Sequence, residues 1–279
     1  MRVWLNGAMV DGDAARVSVF DHGFTVGDGV FETTKVVAGV PFALTRHLTR
    51  LAASAEAMGL PRPDAATVRD AVARVVQQLE GRPGRVRVTY TAGEAPLGSG
   101  RGDAAPTLVV AASAMTPWPD TESVVLVPWV RNERSTMARM KTTSYGDNVV
   151  ALAHARAHGA GEAIFANTVG ELCEGTGTNV FVVHDGVVRT PPLSSGCLAG
   201  VTRALLLAWC PEIREERLTP ADLASADEVF LTSSTRDVQG VHSVDGRRPG
   251  GDAAPAPGPI TMSAASVFAE KAAINPDPS

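Results

Sequence analysis

The sequence predicts a two-domain protein of mixed α+β and α/β character, and three observations carry that expectation. Residues 1–115 read as antiparallel strand patterns with two amphipathic helical stretches among them, an order typical of α+β units. The segment Met115-Thr116-Pro117-Trp118-Pro119-Asp120 then places two prolines ahead of the next apolar strand, as linkers do. Beyond it, short strands and helices mix to the end of the chain. The expected organisation is a smaller α+β domain over 1–115, a linker at 116–120 and a larger domain over 121–279.

The elements follow from local chemistry. VWLNG and AMVDGD form a hairpin, because Asn6-Gly7 is a two-residue turn that tolerates positive φ. VFETTKVV (30–37) and VPFALT (40–45) flank Ala38-Gly39 in the same way. HLTRLAASAEAMGL (47–60) repeats apolar residues at helical spacing and stops at Gly59 and Pro61; a second amphipathic helix covers 64–80. RVRVTYTA (85–92) and PTLVVAAS (106–113) are strands joined by a glycine-rich loop that contains Arg101-Gly102-Asp103, read here as loop and not as an adhesion signal. The second half offers strands in SVVLVPW, EAIFAN, NVFVVHDGVVRT and EVFLTS, helices in NVVALAHARAHG and TRALLLAW, and a frayed NPDPS after VFAEKAA.

Composition narrows the function classes. Hydrophobic residues are 44% and charged residues 20%, with a formal net charge of −5, so a nucleic-acid role lacks its basic footprint. The N-terminus has no apolar run of signal-peptide length, and no segment approaches the ~18 uncharged residues that span a bilayer. The expectation is a cytoplasmic protein without membrane or nucleic-acid partners, acting on a small molecule. Cys173, Cys197 and Cys210 make no CxxC pair and are read as reduced, packed thiols. His154 and His158 stand i, i+4 on a helix but lack a carboxylate in a metal-binding pattern, so no metal is expected. Asp28, in a turn before a strand, is assigned to structural hydrogen bonding.

Several residues can carry chemistry. Lys141 lies in MKTTSYGDN among small hydroxyl residues, unlike a solvated lysine with charged neighbours. Glu174 in CEGTGTN is either a solvated turn residue or a carboxylate fixed beside Asn179 to hold a proton on a pyridine nitrogen. In SSGCLAGVTRALLL, glycines precede a helix start at Val201 and Thr202; Thr202 either caps the helix or faces an anion. Ser233 and Ser234 add a hydroxyl turn after a strand. Arg50, on an apolar-periodic helix, can grip a phosphate with its planar fork. Lysine, anion-binding helix start, hydroxyl turn, arginine and isolated carboxylate together form an inventory for pyridoxal 5'-phosphate.

The successive segments FDHGFTVGDGVFETTKV, PFALTRHLTRLAASAEAMGL, KTTSYGDNVVALAHARAHGAGEAIFANTVGELCEGTGTNVFVV, GCLAGVTRALLL and EVFLTSSTRDVQGV resemble, in order, the motifs of the class IV aminotransferase family of fold type IV enzymes. The resemblance implies a D-amino-acid-aminotransferase-like fold, a pyridoxal-phosphate-binding C-terminal domain and a homodimer. It makes Lys141 the catalytic lysine that bonds the cofactor and moves the substrate proton, a role that requires loss of its own proton near neutral pH. Thr142, Thr143 and Ser144 leave room for cofactor and substrate. Glu174 is implied to meet the pyridine nitrogen, Tyr145 the phenolic oxygen, and Arg50, Val201, Thr202, Ser233 and Ser234 the phosphate.

Within the family, the chain has Phe31 and Ala92 where D-amino-acid transaminases have tyrosine and arginine. It shares an arginine, Arg87, with branched-chain transaminases, although their tyrosine two positions earlier is Arg85 here. The segment from Lys141 through CEGTGTNVF is most similar to 4-amino-4-deoxychorismate lyases. The expected reaction is therefore release of pyruvate and 4-aminobenzoate, a folate precursor, from aminodeoxychorismate. The alternative is transamination of branched-chain or D-amino acids. Arg85, Arg87, Arg131 and Arg134 are the unranked candidates for the substrate carboxylate.

Overall fold

The computed structural model describes residues 1–278. They form two compact units, the first made of 1–117, 140–145 and the residues from Asn275, the second of 118–139 and 146–274. The segment that carries Lys141 thus joins the first unit, whereas the sequence reading put it in the second domain.

In the first unit, β1 (Arg2–Leu5), β2 (Ala8–Asp11), β3 (Gly29–Val37), β4 (Val40–Pro41), β5 (Gly84–Thr91) and β6 (Thr107–Ala114) make one sheet in the order β2-β1-β6-β5-β3-β4. Every pairing in it is antiparallel. The short α1 (His22–Thr25), then α2 (Leu44–Ala57) and α3 (Ala65–Val76), complete the unit. Val30, Val36, Val86, Val88 and Val110 point from the sheet into a core shared with Leu48 and Leu51 of α2 and Val68, Val72 and Val75 of α3. By strand alternation Phe31, Arg85 and Arg87 lie on the opposite face. The first hairpin turns at Asn6 and Gly7, both at positive φ.

The second unit is built on an eight-stranded mixed sheet. Its strands are β7 (Thr121–Arg131), β8 (Glu162–Asn167), β9 (Leu172–Gly175), β10 (Asn179–His184), β11 (Val187–Thr190), β12 (Arg214–Glu215), β13 (Glu228–Ser233) and β14 (Asp237–Val244), in the order β12-β11-β10-β13-β14-β7-β8-β9. Helices α4 (Gly146–Ala157), α5 (Val201–Trp209), α6 (Pro220–Ala224) and α7 (Pro259–Ile274) accompany it. The strands of its centre are buried on both faces, so β10 reads as an apolar run and not as an alternation.

Two expectations are corrected. The stretch 40–45 is strand only at Val40–Pro41; Ala43 is left-handed and α2 already begins at Leu44. Of the NPDPS stretch expected to be frayed, residues 275–278 are held in place, and Ser279 lies outside the described residues. Asp277 accepts hydrogen bonds from the Thr45 backbone N–H at 2.8 Å and the Thr45 hydroxyl at 2.6 Å, while the Pro276 carbonyl accepts from Ala43 N–H at 2.7 Å. Ala43 has no side chain that caps α2, and a carboxylate from the far end of the sequence supplies the cap and favours the positive helix terminus. Asp277→Ala should lower unfolding stability by about 1 kcal/mol. Urea unfolding checks this, and an unchanged midpoint would show that the tail does not cap α2.

Candidate functional site

In the first unit the site grows from the pairing of Lys141 with β3. The Lys141 carbonyl accepts from Phe31 N–H at 2.9 Å, the Thr143 N–H donates to Gly29 at 2.8 Å, and Thr142 bridges Val30. The Thr143 and Ser144 hydroxyls both donate to the Gly27 carbonyl, at 2.9 and 3.1 Å. These small residues therefore stitch the lysine segment to the sheet, beyond merely leaving space as the sequence suggested. The Lys141 Nζ stands 4.5 Å from the centroid of the Phe31 ring and 5.9 Å from that of Tyr145, and the two rings meet edge-on at 5.1 Å.

Helix α2 supplies the next layer. His47, Arg50 and Ser54 recur at helical spacing on one face. Ser54 Oγ accepts from the Lys141 backbone N–H at 3.3 Å. Arg50 donates through Nε and Nη2 to the two oxygens of Glu32, each at 2.7 Å, and His47 Nδ1 donates to Glu32 Oε2 at 2.7 Å. Burial alone would raise the Glu32 carboxyl, but the charge and hydrogen bonds of Arg50, reinforced by His47, bring it down to about 2. Burial holds His47 below its usual range, against the pull of Glu32. The bidentate grip fixes the plane of the Arg50 guanidinium. Sequence reasoning missed Glu32, His47 and Ser54; an acid within the apolar run of VFETTKVV was the available signal.

The four candidate arginines have different surroundings. Arg87 lies diagonally beside Phe31, since Phe31 pairs with Thr89 and Thr33 with Arg87, and its guanidinium carbon is 3.7 Å from the Phe31 ring centroid. Arg85 is two residues further along β5 and donates to Ser113 Oγ. Arg134 is a solvent-exposed side chain 3.8 Å from Glu133. Arg131 stacks on Phe165 at 4.2 Å and sits 3.3 Å from Glu174, so it serves Glu174.

In the second unit, Glu174 accepts from Leu198 N–H at 2.9 Å, and Asn179 Nδ2 donates to the Leu198 carbonyl at 3.0 Å. Asn179 was expected to fix Glu174; the two instead grip opposite sides of Leu198, in the loop that leads into α5. Gly200 caps α5 because Asn179 Oδ1 approaches too closely for any Cβ. Val201 and Thr202 open the helix with no side-chain cap, and the buried Thr202 hydroxyl has no hydrogen-bond partner. It does not cap the helix. A buried, unpartnered donor beside the N–H groups of a nine-residue helix fits an anion. Ser233 ends β13 and Ser234 follows it, and beside them in the strand the Thr232 hydroxyl is likewise buried without a partner. This donor set suits a phosphate, and Glu174 beside Arg131 suits a cationic ring nitrogen.

The remaining candidates are structural. Burial pushes the Cys173 and Cys197 thiols up, away from nucleophilic ionisation. Asp28 accepts from His22 Nδ1 at 2.8 Å and from Arg101 Nε and Nη2 at 2.7 and 2.6 Å, which pins the glycine-rich loop. The His154 ring stacks on His158 and meets Trp129. Among the described residues, no helix is long and apolar enough to cross a membrane.

Glu32 has a folded-state value below its ordinary 4.5, so its stabilisation is complete above that pH and disappears as pH falls through about 2. Glu32→Gln should cost about 3 kcal/mol by leaving Arg50 without its buried counter-charge. It should also flatten stability between those pH values, read from urea midpoints; an equally steep acid limb in the variant would contradict this.

Comparison with known proteins follows the same lines. The family description "Amino-transferase class IV" matches residues 29–244. A Methanocaldococcus jannaschii protein named "Putative branched-chain-amino-acid aminotransferase" is 34% identical, covering 88% of this chain and 89% of its own. The D-alanine aminotransferase of Bacillus licheniformis is 31% identical over 94% of this chain and 93% of its own. A branched-chain amino acid aminotransferase structure from Escherichia coli superposes with a TM-score of 0.87 at 26% identity, covering 100% of this chain and 95% of that one. These relatives carry aminotransferase names, and a Mycobacterium tuberculosis structure of this fold, 29% identical, holds pyridoxal phosphate. This chain belongs to the class IV aminotransferase family and is a pyridoxal-phosphate enzyme of fold type IV.

Proposed function

We propose that the chain is an aminotransferase that passes the amino group of an aliphatic, branched-chain-type amino acid to a 2-oxo acid. This takes the place of the lyase reaction expected from the sequence. The observation that carries it is the arrangement around Phe31: Lys141 Nζ and the Arg87 guanidinium both stand over one ring, at 4.5 and 3.7 Å from its centroid. A base and a carboxylate-binding cation are thereby held on one apolar wall. Ala92 packs against the apolar core, so position 92 offers no D-amino-acid type of carboxylate clamp. The branched-chain name of the archaeal relative supports the same choice.

Pyridoxal phosphate, when bound, supplies an electron sink for the carbon next to the amino group. This chain's residues do the rest. Lys141 Nζ takes the proton from that α-carbon, Phe31 and Tyr145 shield it with an aromatic wall, and Arg87 orients the substrate through a carboxylate. Arg50, held by Glu32, would be the first unit's phosphate ligand; in the second unit the hydroxyls of Thr202, Ser233 and Ser234 and the Val201 backbone N–H would hold the phosphate, and Glu174 would accept from the ring nitrogen. We also read the enzyme as a cytoplasmic homodimer. Phe20 and Phe24 are 50% and 75% exposed, and the exposed Val17, Val19 and Val26 extend the apolar stretch that a second copy would cover.

Amino donors added alone to the loaded enzyme should move its visible absorbance into the near ultraviolet. Pyruvate release from aminodeoxychorismate, without such a change for any donor, would restore the lyase reading. Arg87→Ala should raise KM for a dicarboxylate oxo acid at least tenfold, about the loss of one charge-assisted contact, with a smaller effect on an aliphatic donor. Steady-state kinetics with both substrates tests this, and equal KM values for variant and parent would remove Arg87 from the substrate site.

A further inference from the structure

Two turns of the second unit carry proposed cofactor contacts. One follows Glu174, between β9 and β10; the other starts from Ser233, the last residue of β13, and runs through Ser234 to β14. The strands β14, β7 and β8 separate β13 from β9 in the sheet. The turns are already neighbours where Asn179 at the start of β10 pairs with Thr232 near the end of β13, and a buried ion pair adds a side-chain link between them. Arg236 Nη2 lies 3.2 Å from Glu162 Oε2, and their side chains are 8% and 1% exposed.

Each partner is engaged with a different turn. Glu162 Oε1 accepts from the Thr176 backbone N–H at 2.9 Å and from the Thr176 hydroxyl, and Oε2 accepts from Thr178 Oγ1 at 3.4 Å. Asn148 secures the same turn through the Thr176 carbonyl. Arg236 donates its backbone N–H to Ser233 Oγ at 3.2 Å and Nη1 to Gln239 Oε1 at 2.8 Å, and its guanidinium carbon stands 4.1 Å from the centroid of Trp118. A planar fork stacked on an indole and bonded at both ends has one orientation. Buried ion pairs add little net stability compared with apolar replacements of the same shape, whereas they do specify geometry.

We propose that Arg236 and Glu162 are a positioning pair that fixes the turn after Glu174 and the turn of Ser233-Ser234 at one separation, and so sets how tightly and in what orientation the cofactor is held. The proposal rests on the reading that Glu174, Ser233 and Ser234 contact the cofactor. Arg236→Lys would keep the charge and lose the planar fork that reaches Glu162 with one arm and Gln239 with the other.

The test uses the full-length enzyme, with pyridoxal phosphate removed by dialysis and titrated back. Protein fluorescence gives the dissociation constant, visible circular dichroism gives the orientation of the bound group, and melting of the cofactor-free protein reports the fold. The double variant Glu162→Gln/Arg236→Met leaves no buried charge unpaired. It should melt close to the parent, bind the cofactor roughly tenfold more weakly, and show a reduced dichroic band. Arg236→Lys should fall between the two and decides the matter if the double variant does not fold. Parental affinity and dichroism in these variants would overturn the proposal, as would a lowered melting point with unchanged affinity. Ser233→Ala/Ser234→Ala and Lys141→Ala separate the two levels of the argument. Weak binding in both of these, with parental binding in the Arg236 variants, sinks the pair alone; parental binding in all of them sinks the site itself.

Discussion

The buried carboxylate of Glu32 is the constraint on which the first unit's chemistry rests. It sits on the strand that pairs with the Lys141 segment, and it ties that strand to α2 through Arg50 and His47. An isolated carboxylate this deep would be expelled or protonated; flanked by a guanidinium and an imidazole N–H it stays charged. Ser54, one turn beyond Arg50, then holds the Lys141 backbone. Through Glu32 and Ser54, strand β3, helix α2 and the Lys141 backbone are tied together within the first unit.

The second unit solves a different problem, that of presenting donors without filling them from within. Gly200 gives α5 a start free of a side-chain cap, and the hydroxyls of Thr202 and Thr232 are buried unpartnered. Such groups are costly in an empty protein and are compensated once an anion accepts from them. Glu174 has the complementary arrangement, a carboxylate held by Arg131 and the Leu198 N–H. The first unit carries Lys141 and Arg87, and the second carries the uncapped start of α5 and Glu174.

Much of this was legible in the sequence, because period and turn chemistry are local. The Asn6-Gly7 hairpin, the strands of β5 and β6, and the helices α2, α4 and α5 follow from apolar spacing. The candidate residues were singled out because a lysine in a small-residue segment and glycines before a helix mark themselves. What stayed hidden depends on partners distant in sequence. Arg85, Arg87, Arg131 and Arg134 look alike in the chain; only strand register and ring contacts distinguish the arginine beside Phe31 from the one that serves Glu174. β14 was not assigned because Gly240 interrupts its alternation, and that glycine is fixed by Pro257, which lies close beside it. The start of α2 was placed three residues late for the same kind of reason, its cap being Asp277.

That cap also orders events during synthesis. The sheet of the first unit is complete in the nascent chain once β6 has emerged, yet the helix that carries His47, Arg50 and Ser54 waits for Asp277 before its first turn is secured. The whole second unit is translated in the interval. Any α2 formed before Asp277 is made has an open N-terminus, and closing it is a late, non-local step.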